Sequence, residues 1–335
     1  MVKHFNPKMS ENQLQKKAMQ FVPFIESYDM EIMEEIRGVA TGAERSLDEI
    51  MFLNARAELS YPQMRFSGSE SLTKCSTLSI TPEASRSGHT LIMENWDPWV
   101  PIIRNKPFVV LKIEQDEKPD IICYTEAGII GGKIGFNSEG IGLGVNGLFT
   151  DEDGKTLGVP WSTICRGVLN GNSWYYAINA VLRAKRSISL NFNICTAEGE
   201  AICVEAAPSY DYCFAYSESG VLPHTNHFLC GSIDSSSAPE YRARHLPNTV
   251  PRYLRLRKLA LQMVGDLDIE NIEGICRDHF NYPKSICAHP DPNVDENETG
   301  GTGVSFVNDL DMMEMYIACG PPCQYEFERV PLKLS

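Results

Sequence analysis

Helix-forming and strand-forming segments come in runs along this chain instead of alternating, and that order constrains the architecture most. Residues 10–60 read as helical. Within them, 31–40 and 46–59 carry apolar residues at spacings of three and four, and Ser46 with Glu49 has the pattern of a capping box. After Tyr61-Pro62 the chain becomes a polar linker and then turns to strands, at 75–80, 89–94, 108–113 and 121–125, divided by Pro, Gly and Asp clusters. A glycine-rich strand pair follows over 131–147, in which Gly142 and Gly144 imply that something packs close to the backbone. Two helices (161–169, 174–184) precede four strands (189–196, 201–206, 212–217, 221–227). A second helical block (239–265, 269–280) precedes short strands at 285–287, 304–308, 313–318 and 325–330. Such blocks predict a layered α+β fold, not alternating α/β.

Composition narrows the function. The 335 residues are 43% apolar and 22% charged, as in an ordinary globular chain, and allow one large domain or two modest ones. A formal charge of −14 repels phosphate backbones, so nucleic acid is not an expected partner. No apolar run reaches the ~20 residues of a membrane span, and the first residues lack the apolar stretch of a secretory signal. The expected setting is cytoplasmic, with no membrane partner.

Most candidate motifs carry little chemistry. Gly140-x-Gly142-x-Gly144 lies between strands and not before a long helix, so it is not a dinucleotide fingerprint. Asp151-Glu-Asp-Gly154 lacks the rest of a calcium loop and reads as a turn. Eleven cysteines in a reducing compartment should be mostly free, buried thiols. Cys319 and Cys323 could supply two zinc ligands, but no second pair stands nearby in sequence. His224 and His227 lack a carboxylate or third ligand in their segment. No metal or cofactor is therefore expected. The stretch 241–258 holds six Lys and Arg and no acidic residue, which suits either a solvated helix face or a phosphate-bearing ligand such as a coenzyme A moiety.

A last constellation spans most of the chain. It comprises Glu35-Ile-Arg-Gly-Val-Ala-Thr-Gly42, Asn54-Ala-Arg56, Cys75-Ser-Thr77, Glu94-Asn-Trp-Asp97, Gly135-Phe-Asn-Ser-Glu-Gly140, Asn146, Arg166, His224-Thr-Asn-His-Phe228 and Ser285-Ile-Cys287. In order and spacing it resembles the autoproteolytic cysteine N-terminal nucleophile hydrolases related to acyl-coenzyme A:6-aminopenicillanic acid acyltransferase. The resemblance implies a four-layer αββα sandwich with a helical pro-segment, 1–74, and a catalytic domain, 75–335. It also implies a cut between Lys74 and Cys75, after which the two chains stay associated. Homo-oligomerisation is left open.

The implied chemistry is an acyl-enzyme on Cys75, formed from a small amide or acyl-coenzyme A substrate and passed to water or an amine. A freed α-amine titrates at about 7.7–8.0, close to a thiol at ~8.5, so the new N-terminus can serve as base to its own side chain. By resemblance, Asn226 is the oxyanion donor, a role worth ~3 kcal/mol of transition-state stabilisation. Asp97 positions the α-amine or assists the cut, and Arg166 and Asn146 are substrate-binding candidates. Two departures stand out: Lys74 occupies the position before the nucleophile where relatives usually have glycine, and Ala288 and His289 follow Ile286-Cys287 where relatives commonly have arginine. They support an alternative in which the chain is uncleaved and silent, acting as a binding protein. A second alternative is a conventional cysteine hydrolase with His224 or His227 as base.

Overall fold

A computed structural model describes residues 6–60, 74–216, 219–230 and 247–333. The chain opens with helices α1 (Glu11–Ala18), α2 (Val22–Tyr28), α3 (Met30–Gly42) and α4 (Leu47–Asn54). Ser10 and Gln13 close a capping box on α1, the Asp29 carboxylate caps α3, and Glu49 Oε2 accepts from the Ser46 amide at 2.9 Å ahead of α4. Ile32, Met33, Ile36 and Ala40, spaced for one helix face, are buried.

The strands form two antiparallel sheets. The first comprises β3 (Phe108–Ile113), β4 (Ile121–Glu126), β5 (Ile134–Asn137), β6 (Ile141–Gly147), β7 (Leu190–Thr196), β8 (Glu200–Ala206) and β9 (Tyr212–Ala215), side by side in chain order. The second comprises β1 (Lys74–Ile80), β2 (Leu91–Asp97), β10 (Val221–His224), β11 (Val304–Asp309), β12 (Glu314–Ala318) and β13 (Glu328–Pro331), in the order β10-β1-β2-β11-β12-β13. Helix α5 (Val100–Asn105) follows β2. Helices α6 (Trp161–Leu169) and α7 (Trp174–Leu182) join α1–α4 on the outer face of the seven-stranded sheet. Helices α8 (Thr249–Gln262) and α9 (Ile269–Cys276) cover the outer face of the six-stranded sheet. A third core, including Trp96, Tyr124, Phe136 and Phe306, lies between the sheets. The result is the expected αββα sandwich. No helix among the described residues is long and apolar enough to cross a membrane.

Two sequence expectations change. Residues 285–287 are buried but are not a strand: the Cys287 amide donates to Asp278 O, and Ile286 O accepts from Asn95 Nδ2. The helix expected over 269–280 stops at Cys276, because the Asp278 side chain takes the Phe280 amide at 3.0 Å and Asn281 adopts a left-handed φ of 70°. The helix expected from 239 is described only from Thr249; residues 239–246, like the linker at 61–73, lie outside the described residues.

The initial helices dock tightly. Leu14, Phe21, Ile25, Ile32, Met33, Ile36, Ile50 and Met51 are all buried in that layer, a gross contribution of roughly 10–20 kcal/mol before ordering entropy. Tyr28 reaches across to α7, donating to Ala180 O at 2.9 Å while Arg183 stacks on its ring. Gly167 of α6 makes room for it, since a Cβ there would sit 2.1 Å from Tyr28 Oη. Gly167→Ala gains ~1 kcal/mol of helix propensity. The clash outweighs that gain because the phenol is held at both ends, so we expect a net loss of about 1–3 kcal/mol in urea unfolding. An unchanged midpoint would mean that Tyr28 swings aside without cost.

Candidate active site

Antiparallel pairing of β1 and β2 places Lys74 opposite Asp97 and Cys75 opposite Trp96. Strand alternation then sorts the side chains by face. Cys75, Thr77, Glu94 and Trp96 point between the sheets, whereas Lys74, Ser76, Asn95 and Asp97 point toward α8, α9 and the loops beside them. The two faces of one short strand pair therefore hold different chemistry.

On the inner face, the Cys75 thiol lies within hydrogen-bonding reach of the Glu94 carboxyl. Glu94 Oε2 also accepts from the Val145 amide at 2.9 Å. Gly144 permits this approach, since a Cβ there would meet Glu94 Oε2 at 3.1 Å. Burial pushes the Glu94 carboxyl well above its ordinary range, against the opposing pull of the Val145 amide, the Cys75 thiol and Lys133. Lys133 is 1% exposed, lies 3.9 Å from the centroid of the Trp96 ring, and shares Glu126 with Arg56. Burial first, and the Arg56 guanidinium second, push its ammonium well below the usual lysine range. These groups, with Ala57, Gly147, Trp161 and Leu190, line a cavity of about 40 Å³, room for a few waters.

On the other face, Arg252 of α8 is 2% exposed and fixes the backbone around Cys75. Its Nη1 donates to Cys75 O at 2.7 Å and to Ser76 Oγ at 3.0 Å, and its Nη2 donates to Asn226 Oδ1 at 2.7 Å. Asn226 Oδ1 also accepts from the Cys75 amide at 3.0 Å, while its Nδ2 donates to Gly147 O at 3.1 Å. The partners dictate this amide orientation, because guanidinium and peptide N–H only donate and a carbonyl only accepts.

Asp97 completes this face. Its Oδ1 accepts from Thr302 Oγ1 at 2.7 Å, and its Oδ2 has no hydrogen-bond partner among the described residues. Burial pushes its carboxyl up to about 7, against the opposing pull of Arg252, Thr302 and Lys74. A carboxyl with a raised folded-state pKa holds its proton longer when folded, so its stabilisation is present at low pH and is lost as pH rises from about 4 to about 7. Asp97→Asn is therefore expected to flatten urea-unfolding stability across that window by about 2–4 kcal/mol. Parallel curves for both proteins would show that Asp97 titrates normally.

The family model for acyl-coenzyme A:6-aminopenicillanic acid acyl-transferase matches residues 84–322 of this chain. The chain belongs to that family. The matched region holds Glu94, Asp97, Lys133, Asn226, Arg252 and Thr302, and it begins nine residues after Cys75. A curated relative, the acyl-coenzyme A:6-aminopenicillanic-acid-acyltransferase 40 kDa form of Emericella nidulans, is 32% identical over 256 residues. That match covers 76% of this chain and 66% of the relative, just under two thirds of its length. Among solved structures, the Caenorhabditis elegans ortholog of N-acylethanolamine-hydrolyzing acid amidase superposes with a TM-score of 0.50 at 11% identity, over 70% of this chain and 93% of that one. At that identity the likeness concerns the fold alone.

Within this family member the structure gathers Lys74, Cys75, Asp97 and Asn226 at one place and holds the other candidates elsewhere. Asn146 is fully buried between the sheets, where its Oδ1 accepts from Thr77 Oγ1 at 2.7 Å and Asn191 Nδ2 at 3.0 Å. Arg166 pairs with Glu35 of α3 at 2.9 Å and does not line the Cys75 cavity. His224 is locked between Glu205 and Thr225 O, and His227 sits against Thr249 with its imidazole pushed down to about 4, mainly by burial. Neither lines the cavity. Of the basic stretch, Arg252 is spent on Cys75 and Asn226 and Arg255 on Asp278, at 2.6 Å, while Arg242 and Arg244 lie outside the described residues. Glu94, Lys133 and Arg252 are the site residues that sequence reasoning missed. Glu94 was within reach, since alternation places it on the face of Trp96 and hence of the thiol.

Proposed function

We propose that this chain is a self-processing cysteine amidohydrolase or acyltransferase whose nucleophile is Cys75. The observation that supports it best is the pinning of one cysteine at every backbone group: amide on Asn226, carbonyl on Arg252, thiol at a cavity beside the buried Glu94 carboxyl. In this reading Cys75 Sγ attacks the Lys74 carbonyl carbon and the C–N bond breaks. The acyl group passes to sulfur as the nitrogen gains a proton, and water releases the 1–74 segment. Asp97, opposite Lys74 and neutral up to about pH 7, is suited to give that proton.

The freed α-amine then takes the thiol proton in each turnover, and an amide or thioester substrate acylates Cys75 before water or an amine accepts the acyl group. Asn226 turns from the peptide to the oxyanion by exchanging the bond from Nδ2 to Gly147 O. Lys74 sits in ordinary extended backbone as the first residue of β1, so no strained geometry has to be supplied by glycine there. Substrate contact falls to Trp96, Trp161, Leu190 and Lys133. Arg166 and Asn146 serve from behind, the first by holding the initial helices and the second by spacing the sheets.

The test is the intact mass and N-terminal sequence of the purified protein. Chains of 74 and 261 residues, the larger beginning at Cys75, are expected; one uncut 37.5 kDa chain would favour the silent binding protein instead.

A further inference from the structure

A second cluster of reactive side chains stands apart from the thiol cavity. His279 follows α9, Cys287 and His289 belong to the loop before β11, and Cys323 lies between β12 and β13. One nitrogen or sulfur from each lies within 4.8 Å of all the others. His289 Nε2 is central, at 3.1 Å from His279 Nε2, 3.6 Å from Cys287 Sγ and 3.4 Å from Cys323 Sγ. Zinc bonds of about 2.0–2.1 Å to nitrogen and about 2.3 Å to sulfur set tetrahedral ligand atoms about 3.3–3.8 Å apart, which these separations approach. We propose that His279, Cys287, His289 and Cys323 form a structural Cys2His2 zinc site.

Ligand chemistry favours zinc over magnesium or calcium, which take oxygen. Two thiolates and two neutral imidazoles balance the 2+ charge, so binding releases one proton from each thiol. Closed four-ligand coordination leaves no open position, so the site is structural and not catalytic. Its ligands come from three segments, and the cysteine four residues before Cys323, Cys319, is not among them. That is why pairing Cys319 with Cys323 by spacing gave no site.

The placement gives the metal a consequence. Ala288, between two of the ligands, donates its amide to Thr302 Oγ1 at 2.9 Å and accepts the Thr302 amide at 2.9 Å. Thr302 Oγ1 in turn donates to Asp97 Oδ1. Zinc would therefore hold the loop that positions Asp97.

The test is zinc content per chain after purification with zinc present, with Cys323→Ser, His279→Ala and Cys319→Ser alongside. Cobalt substitution serves as a spectroscopic check. One equivalent is expected in the wild type and in Cys319→Ser, with at least a tenfold loss in the other two. The cobalt form should show thiolate charge-transfer bands and tetrahedral ligand-field absorption. His279 and Cys323 are both exposed, so neither variant disturbs the core and both are expected to fold. Zinc far below one equivalent in the wild type, equal content in all variants, an octahedral cobalt spectrum or a Cys287–Cys323 disulfide in mapped peptides would each overturn the site. None of these readouts depends on whether Cys75 is cut.

Discussion

Cys75→Ala is expected to yield one uncut chain and to lower acyl release from amide or thioester substrates at least ~10⁴-fold, the scale seen when a covalent nucleophile is removed. The fold should survive, because the thiol occupies a small space and Glu94 keeps the Val145 amide without it. Mass spectrometry and single-turnover acylation check both halves of the prediction. Cys75→Ser separates them further: a hydroxyl is a weaker nucleophile than a thiol at neutral pH, so cutting should slow severely without changing its position. If Cys75→Ala is still cut, the nucleophile is another residue. If it remains fully active while uncut, Cys75 directs the cut but is not the nucleophile of turnover.

Arg252→Ala carries the second large effect. It removes three donations from a buried site, leaving Cys75 O and Asn226 Oδ1 short of a donor. A loss of about 3 kcal/mol in stability follows from stranded buried acceptors, and a 10²–10³-fold slowing of cutting follows from a misplaced Asn226. Arg252→Lys restores the charge but not the fork that spans Cys75 O and Asn226 Oδ1 together, so stability should recover more than rate. Removing this cation should also raise the Asp97 carboxyl further, shifting its stability transition to higher pH. A destabilised variant that cuts at the normal rate would reduce Arg252 to a strut.

Local periodicity made much of the fold readable. The strand over Phe108–Ile113, the starts of the helices at Trp161 and Trp174, and the Ser46–Glu49 capping pair all follow from their own few residues. Segments whose partners are distant were misread. Ile286 and Cys287 look like a strand, but their backbone groups are claimed by Asn95 and Asp278. Arg252 looks like surface charge beside Arg255, Arg257 and Lys258, and only tertiary folding brings it to a carbonyl 177 residues away. The cluster around His289 hid for the same reason, since no spacing rule joins residues 279 and 323. Cys75, Asp97 and Asn226 were legible only as a set of short motifs in a familiar order. Their division between two faces needed the register of β1 and β2.

The initial helices contribute Arg56 and Ala57 to the walls of the thiol cavity, and their apolar faces are buried in the layer they share with α6 and α7. If the bond before Cys75 is cut, that layer is held by non-covalent contacts alone, and the protein acquires a memory of having been one chain. Folding before the cut is first order and independent of dilution. Refolding after denaturation would be a second-order encounter of two polypeptides, with the high effective concentration of a tether gone. Renaturation yield should then depend on protein concentration and fail at high dilution, while an uncut Cys75→Ala chain refolds equally well at any concentration.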